Sequence, residues 1–375
     1  MIKVLHVLSD SNIGGAGILV LNLLENADTS EFESVLALPE NSLLIPRAEA
    51  LGVRVVPMNG KADRSFSPVD IPALVRLLRH ETPDILHTHA SLTARLAGTL
   101  VRTGVTVDTK HCCFAPGRLQ RSPIFRALSH TLDQIGNVSY IATANAARDI
   151  LLDFGTPAER ITVIPGGSAP VAEISENEKK ALRSSLGIPT DSFVIGYAAR
   201  MEKGKGHEDF LRAAQLCLRR PDMVFLAVGS GSMEPDLHNA SRGISNLIFT
   251  GFRKDIGKVM NVFDVNVNCS YLSETSSLSL SEGMSLGKPL VVTDCGGNAD
   301  MAKGCGIVVP MRNPEAIADA VLKLADSPSL YASLSAGAAQ RFRENYTAAG
   351  MARRTEALYR NLLKQEREMR KRAAF

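Results

Sequence analysis

The sequence predicts an α/β protein built from two doubly wound, parallel-sheet halves. Three observations carry that prediction. Short β-branched or Leu-rich runs alternate with longer stretches of helical period, and the alternation restarts after a turn-rich break. The strand-like runs are apolar throughout rather than alternating, as strands covered on both faces are. Parallel strands also need crossover connections, which the helical stretches supply.

The first half opens with Lys3–Leu8, an apolar run that reads as a buried first strand. Gly14, Gly15 and Gly17 follow, then Ile18, Leu21, Leu23 and Leu24 at near-helical spacing. Phe32–Leu38 is a second strand, Ile45–Leu51 helical, Val53–Pro57 extended, Ile71–Arg79 helical and Ile85–Thr88 a further strand. The break is Val163-Ile164-Pro165-Gly166-Gly167-Ser168-Ala169-Pro170, followed by the polar stretch Glu173–Lys180. It predicts domains over 1–166 and 167–351. Strands of the second half are Phe193–Ala198, Met223–Val228, Leu247–Thr250, Val265–Asn268 and Pro289–Thr293. Ala352–Lys371 has helical period through Leu358, Tyr359, Leu362 and Leu363. It runs into Lys364–Arg372, with five basic and two acidic residues. A solvated helix end accounts for that tail, and attraction to an anionic membrane is the alternative.

Composition narrows the function. The 375 residues are 45% hydrophobic and 22% charged, as in ordinary globular proteins. A formal charge of +3 is too small to imply nucleic acid. No apolar run approaches the roughly 18 residues of a membrane span. The opening MIKVLHVLSDSN has too short an apolar run for a secretory signal. The six Cys include the adjacent pair Cys112 and Cys113 but no C-x-x-C, so neither a disulfide framework nor a zinc site is predicted. A reduced, cytoplasmic chain is the expectation.

Ligands of doubly wound sheets bind beyond the carboxyl ends of the strands, so the loops after strands hold the candidates. Gly14-Gly15-Ala16-Gly17 would let backbone N–H groups approach a phosphate or sugar, although a tight turn explains it equally. Arg200 and Lys205 flank glycines after the strand FVIGYA and suit a diphosphate, with a solvated loop as the competing reading. Ser273–Met284 follows VNVN and begins a helix, with Glu274 in the preceding loop and Glu282 two turns in. Free N–H groups of Ser277 and Leu278 could meet a phosphate, and the carboxylates could accept from sugar and ribose hydroxyls. A first-turn Glu complementing the helix dipole would explain Glu274 but not Glu282.

Arg200 with Lys205, Glu274-x7-Glu282-Gly-Met-Ser-x-Gly-Lys-Pro and Asp294-x-Gly296-Gly297 together resemble family 4 glycosyltransferases of the GT-B fold. The Gly14-Gly15 loop, the strand DILHTH, Val163–Gly167 and Gly251-Phe252-Arg253 stand in the family's order, so the resemblance covers nearly the whole chain. It implies two Rossmann-like domains facing each other across a cleft, with a nucleotide-diphosphate sugar held by the second. It further implies retaining transfer with no cofactor and no metal. By the same resemblance Arg200 and Lys205 bind the diphosphate, Glu274 the transferred sugar and Glu282 the ribose. Backbone at Ser277 and Leu278 holds phosphate oxygens, and Gly229 and Arg253 count with the donor site. Gly14, Gly15 and Gly17 face the donor from the first domain, and the helix 352–375 crosses back onto that domain. His111 follows VDTK as a family active-site His follows its strand, with a buried structural histidine as the alternative.

Departures exist. Glu274-Thr275-Ser276-Ser277 stands where the family often has Glu-Gly-Phe-Gly, which bears on the donor sugar; Ala199 replaces a common Gly, and Gly166 a common Asn. His87 and His89 share a strand face in metal-like geometry without a third ligand. Lys110–Arg126 holds Lys110, Arg118, Arg121 and Arg126 with no acid, which fits an anionic or lipid-phosphate acceptor; a solvated loop is the bland competitor. The expectation is a hexosyl- or N-acetylhexosaminyltransferase using a UDP-sugar on a cell-envelope glycan or lipid-linked acceptor, with peripheral contact at the membrane's inner face. The rivals are a sugar-nucleotide epimerase on the same fold and a non-catalytic sugar-binding protein.

Overall fold

A computed structural model describes residues 1–58, 62–114, 117 and 122–373. The chain divides into two compact units, Met1–Gly167 with Ala348–Phe375, and Ser168–Thr347. Each holds one all-parallel sheet with helices on both faces.

In the first unit the strands are β1 (Ile2–Leu8), β2 (Phe32–Pro39), β3 (Arg54–Met58), β4 (Ile85–His89), β5 (Val105–Lys110), β6 (Val138–Ala142) and β7 (Ile161–Val163). They lie in the order β3-β2-β1-β4-β5-β6-β7. The helices are α1 (Gly15–Glu25), α2 (Ile45–Ala50), α3 (Ile71–Glu81), α4 (Leu92–Val101), α5 (Pro123–Ile135) and α6 (Asn145–Asp153). Five consecutive residues of β1 and of β4 are buried, as their apolar runs require.

In the second unit β8 (Phe193–Ala198), β9 (Met223–Val228), β10 (Leu247–Phe249), β11 (Val265–Asn268), β12 (Leu290–Thr293) and β13 (Gly306–Val309) run in the order β10-β9-β8-β11-β12-β13. Its helices are α7 (Glu176–Ser185), α8 (His207–Leu216), α9 (Glu234–Ala240), α10 (Ile256–Met260), α11 (Leu278–Ser285), α12 (Asn298–Ala302), α13 (Pro314–Asp326) and α14 (Pro328–Arg341). Tyr197, Phe210 and Phe225 lead its main core cluster, fully buried between sheet and helices. The polar stretch after the break runs into α7, started by a capping box between Ser175 and Glu178.

The last helix, α15 (Ala348–Ala373), belongs to the first unit. Met351, Ala352, Thr355, Glu356, Tyr359 and Leu363 form its buried stripe. Glu356 accepts from Asp28 N at 2.7 Å, and the Tyr359 ring meets Phe32 at 5.9 Å. Among the described residues no helix is long and apolar enough to cross a membrane.

Both sheets share one topological property. The chain begins in the middle, builds to one edge, then returns to extend the other side. Adjacent strands β1/β4 and β8/β11 therefore send their following loops in opposite directions, opening a crevice beyond their carboxyl ends.

Candidate active site

The crevice of the second unit holds most of the charged candidates. Loop 199–206 follows β8 and loop 269–277 follows β11, and the two are tied by Tyr271 N donating to Gly204 O at 2.8 Å. Glycine is demanded here. Gly206 has φ +73°, and a Cβ on it would lie 2.0 Å from the Cys269 carbonyl oxygen. Gly204, at φ +95°, would strike Leu272 at 2.4 Å.

This close approach brings two residues separated by 69 positions into contact: Lys205 Nζ lies 2.5 Å from Glu274 Oε1. Ser270 Oγ donates to the same oxygen at 2.5 Å, and Gly297 N donates to the Glu274 carbonyl at 2.9 Å. Tyr197 OH donates to the Lys205 carbonyl, fixing that loop from below. Arg200 is exposed, and its guanidinium makes no ion pair or hydrogen bond among the described residues. The loop after β9 closes against the same strand end. Gly229, at φ +138°, would put a Cβ 2.0 Å from the Ala199 carbonyl, and Glu202 accepts from Ser232 N and Oγ at 3.0 and 2.6 Å.

Helix α11 begins one residue after its N-cap, Ser277, whose side chain caps nothing. Ser277 N and Leu278 N have no acceptor among the described residues, so a free helix N-terminus faces the crevice end. Glu282 sits just over one turn into the helix, not two, because the helix starts at Leu278. Its carboxylate has no hydrogen-bond or ion-pair partner among the described residues, and burial pushes its pKa up to about 7.

Two further expected donor residues, Arg253 and Gly17, have contacts within the chain. Arg253 holds Asp255 in a two-pronged pair through Nε and Nη2 at 2.8 and 2.7 Å. Gly17 is buried, and a Cβ there would lie 2.5 Å from Leu44 Cδ1, so its smallness serves packing of α1. Gly14 caps α1, and a Cβ on Gly15 would meet nothing within 4 Å, so that surface stays open.

In the first unit β4 and β5 carry His87, His89 and His111 toward α15, and β1 adds His6 opposite His87 in register. His6 Nδ1 is 3.2 Å from His89 Nε2, and His89 Nδ1 is 3.1 Å from His111 Nε2. His87 is engaged at both nitrogens, by Tyr359 Oη at 2.5 Å and Thr109 Oγ1 at 2.6 Å. Burial drives the pKa of His6 to about 3 and of His111 to about 4, with His87 and His89 also well below the usual value. His6, His89 and His111 thus form a row of neutral, hydrogen-bonded imidazoles, with His87 beside them. His6, His87 and His89 are close enough to hold a metal ion, but binding one would cost these hydrogen bonds. Of the acid-free basic stretch, Arg118 and Arg121 lie outside the described residues.

Comparison with known proteins decides the family. Residues 13–168 match the description Glycosyltransferase Family 4, and residues 192–327 match Glycosyl transferases group 1. The chain belongs to the family 4, group 1 glycosyltransferases. A curated relative is the Escherichia coli UDP-Gal:alpha-D-GlcNAc-diphosphoundecaprenol alpha-1,3-galactosyltransferase, 27% identical over 284 residues, 69% of this chain and 70% of the relative. The fold is GT-B. A Rickettsia africae glycosyltransferase superposes with TM-score 0.82 at 18% identity, covering 97% of this chain and 99% of its own. Anabaena HepE in complex with UDP and glucose superposes with TM-score 0.81 at 18% identity, covering 96% and 100%.

Three features of this glycosyltransferase were not anticipated from sequence. His6 supplies the third imidazole beside His87 and His89. His207, at the start of α8, is fully buried, stacks on Tyr197 at 4.7 Å, and has neither ring nitrogen partnered among the described residues. Beneath loop 269–277 lies a polar network: Asn268 Oδ1 accepts from Ser270 N at 3.0 Å, and Asn266 Nδ2 donates to Ser279 O at 2.7 Å. The VNVN pattern marks these asparagines in the sequence, since Asn at successive inward positions of a buried strand needs partners.

Proposed function

We propose that this glycosyltransferase is a retaining, metal-independent enzyme that moves a hexosyl or N-acetylhexosaminyl group from a UDP-sugar to a lipid-linked or cell-envelope glycan acceptor. The observation that carries the reading is the Lys205–Glu274 pair beside an unpaired Arg200 at the β8/β11 crevice. The relative named for UDP-Gal and a diphosphoundecaprenol acceptor, and the neighbour holding UDP and glucose, support the donor and acceptor classes.

In this reading the diphosphate enters between Arg200, Lys205 and the free N–H groups of Ser277 and Leu278. Lys205 exchanges Glu274 for a phosphate oxygen, and the released Glu274 carboxylate accepts from hydroxyls of the transferred sugar. Glu282 receives the ribose hydroxyls, which supply the hydrogen bonds its carboxylate lacks. Gly229 keeps the β9 loop clear of the donor, while Arg253 stays with Asp255. As the bond from the anomeric carbon to the phosphate oxygen breaks, negative charge grows on the diphosphate. Attraction to two fixed cations grows with it, and only such growth accelerates the step. The acceptor oxygen bonds the anomeric carbon, and its proton passes to the departing phosphate. The two cations supply the charge that a metal ion would otherwise bring. His111, neutral and held by His89, acts on the acceptor side as a hydrogen-bonding group, and Gly14 and Gly15 offer backbone there. The site of action is the inner face of the membrane.

The test is UDP release from a panel of UDP-sugars with and without a lipid-diphosphate acceptor. Release that depends on acceptor is expected. Product formation from the UDP-sugar alone, with no acceptor, would instead establish the epimerase.

A further inference from the structure

β1, β4 and the residue after β5 set His6, His89 and His111 in a row, and the row dictates where its protons sit. A neutral imidazole has one N–H and one lone pair. Burial keeps His89 neutral, and both its nitrogens are engaged: Nε2 with His6 Nδ1 at 3.2 Å and Nδ1 with His111 Nε2 at 3.1 Å. His89 must therefore donate at one end and accept at the other. Two arrangements satisfy this. In the first, every ring carries its proton on Nδ1, so that His6 donates to His89 and His89 to His111. In the second, every proton is on Nε2 and the row runs backwards. A mixed row would need His89 with two protons or with none. His87 does not interrupt it, since its nitrogens meet Tyr359 Oη and Thr109 Oγ1 at 2.5 and 2.6 Å.

The two ends decide the sense. Each arrangement leaves one N–H beyond the row, on His111 Nδ1 in the first and on His6 Nε2 in the second. His6 is 2% exposed, and the bond to His89 is its one hydrogen bond among the described residues. An N–H there would be buried with no acceptor and out of a ligand's reach, whereas a bare lone pair is the milder loss. His111 is half-buried and follows the carboxyl end of β5, the side on which ligands of such sheets bind. We propose that His89, backed by His6, is a positioning residue that holds His111 as its Nδ1–H tautomer, a hydrogen-bond donor to a hydroxyl oxygen of the substrate. This deepens the proposed transfer and rests on it for the class of substrate. A ring nitrogen that already carries a proton cannot take the acceptor's, which leaves that proton to the departing phosphate.

Long-range 15N–1H correlation spectra of histidine-labelled protein distinguish protonated from bare ring nitrogens, and single substitutions assign the eight histidines. His6, His89 and His111 should each show a protonated Nδ1 and a bare Nε2. A protonated Nε2 in any of the three overturns the proposal. His89→Leu should let His111 take the Nε2–H form that free histidine prefers, and lower kcat by about tenfold or more with UDP affinity unchanged. His89→Asn returns an N–H near the Nδ1 position and should restore the His111 tautomer and most of kcat. Parental kcat in folded His89→Leu, or an equal loss in both variants, overturns the positioning role. Should neither variant fold, the parent's spectrum alone decides. That spectrum needs no substrate, so the expected tautomers without transfer from any UDP-sugar would sink the proposed function and not the row.

Discussion

Glu282 is a carboxylate kept where it costs stability, and Glu282→Gln exposes that cost. Burial raises its pKa from 4.5 to about 7, because the protonated form tolerates desolvation better than the anion. Below the unfolded value the group is protonated in both states and costs nothing extra. As pH rises from there through the folded value, the unfolded chain loses the proton first, and stability falls. Each tenfold difference in proton affinity is about 1.4 kcal/mol, so the full effect above neutral pH is about 3 kcal/mol. Partial solvent contact lowers the expected figure to about 2 kcal/mol. Glu282→Gln should therefore match the parent near pH 4 and exceed it by about 2 kcal/mol near pH 8, read from denaturant melts across that range. The same variant should bind UDP more weakly. In the proposed site ribose hydroxyls would donate to the ionised carboxylate, so UDP binding to the parent near neutral pH should release a proton. Titration calorimetry in buffers of different ionisation heat measures that release, and Glu282→Gln should abolish it. Parallel stability profiles for parent and variant would refute the desolvation argument. Unchanged UDP affinity would remove Glu282 from the ribose site.

Other substitutions separate catalysis from packing. Lys205→Ala should lower kcat by about a hundredfold, the scale of one preorganised charge contact. It should also cost about 1–3 kcal/mol, because Glu274 is left buried without its cation; adding Glu274→Gln should restore stability in the melt but not activity. Near-parental kcat in folded Lys205→Ala would end the diphosphate assignment. Gly15→Ala should leave the melt unchanged or raised while lowering activity, since a Cβ there meets open space. Gly17→Ala should do the reverse, losing about 1–3 kcal/mol by overpacking against Leu44. Tyr359→Phe removes the hydroxyl bonded to His87 and should cost about 1 kcal/mol in the melt, with UDP affinity unaffected.

Much of the fold was legible because buried parallel strands leave continuous apolar runs, as in Phe193–Ala198 and Met223–Val228. β7 (Ile161–Val163) was absorbed into the turn-rich break that begins at Val163, and β13 (Gly306–Val309) was not singled out. Helix α7 hid behind its polar composition, although Ser175 and Glu178 carry the capping-box spacing. The candidate site was legible residue by residue, since each loop directly follows a strand. Its pairings were not. Lys205 meets Glu274, and His6 meets His89, only because sheet order sets β8 beside β11 and β1 beside β4. The same limit applied to Gly17 and Arg253, whose partners Leu44 and Asp255 are visible only in the structure.

In the proposed site the β8/β11 crevice binds a nucleoside diphosphate through Arg200 and Lys205. Calorimetric titration of UDP into the parent and into Arg200→Ala tests it most directly, because Arg200 is exposed and makes no ion pair or hydrogen bond among the described residues, so its removal should leave the fold intact. One UDP per chain is expected for the parent, with an affinity at least about tenfold lower for Arg200→Ala and equal melts in the absence of ligand. Absence of UDP binding by the parent, or the same affinity in both proteins, would contradict it.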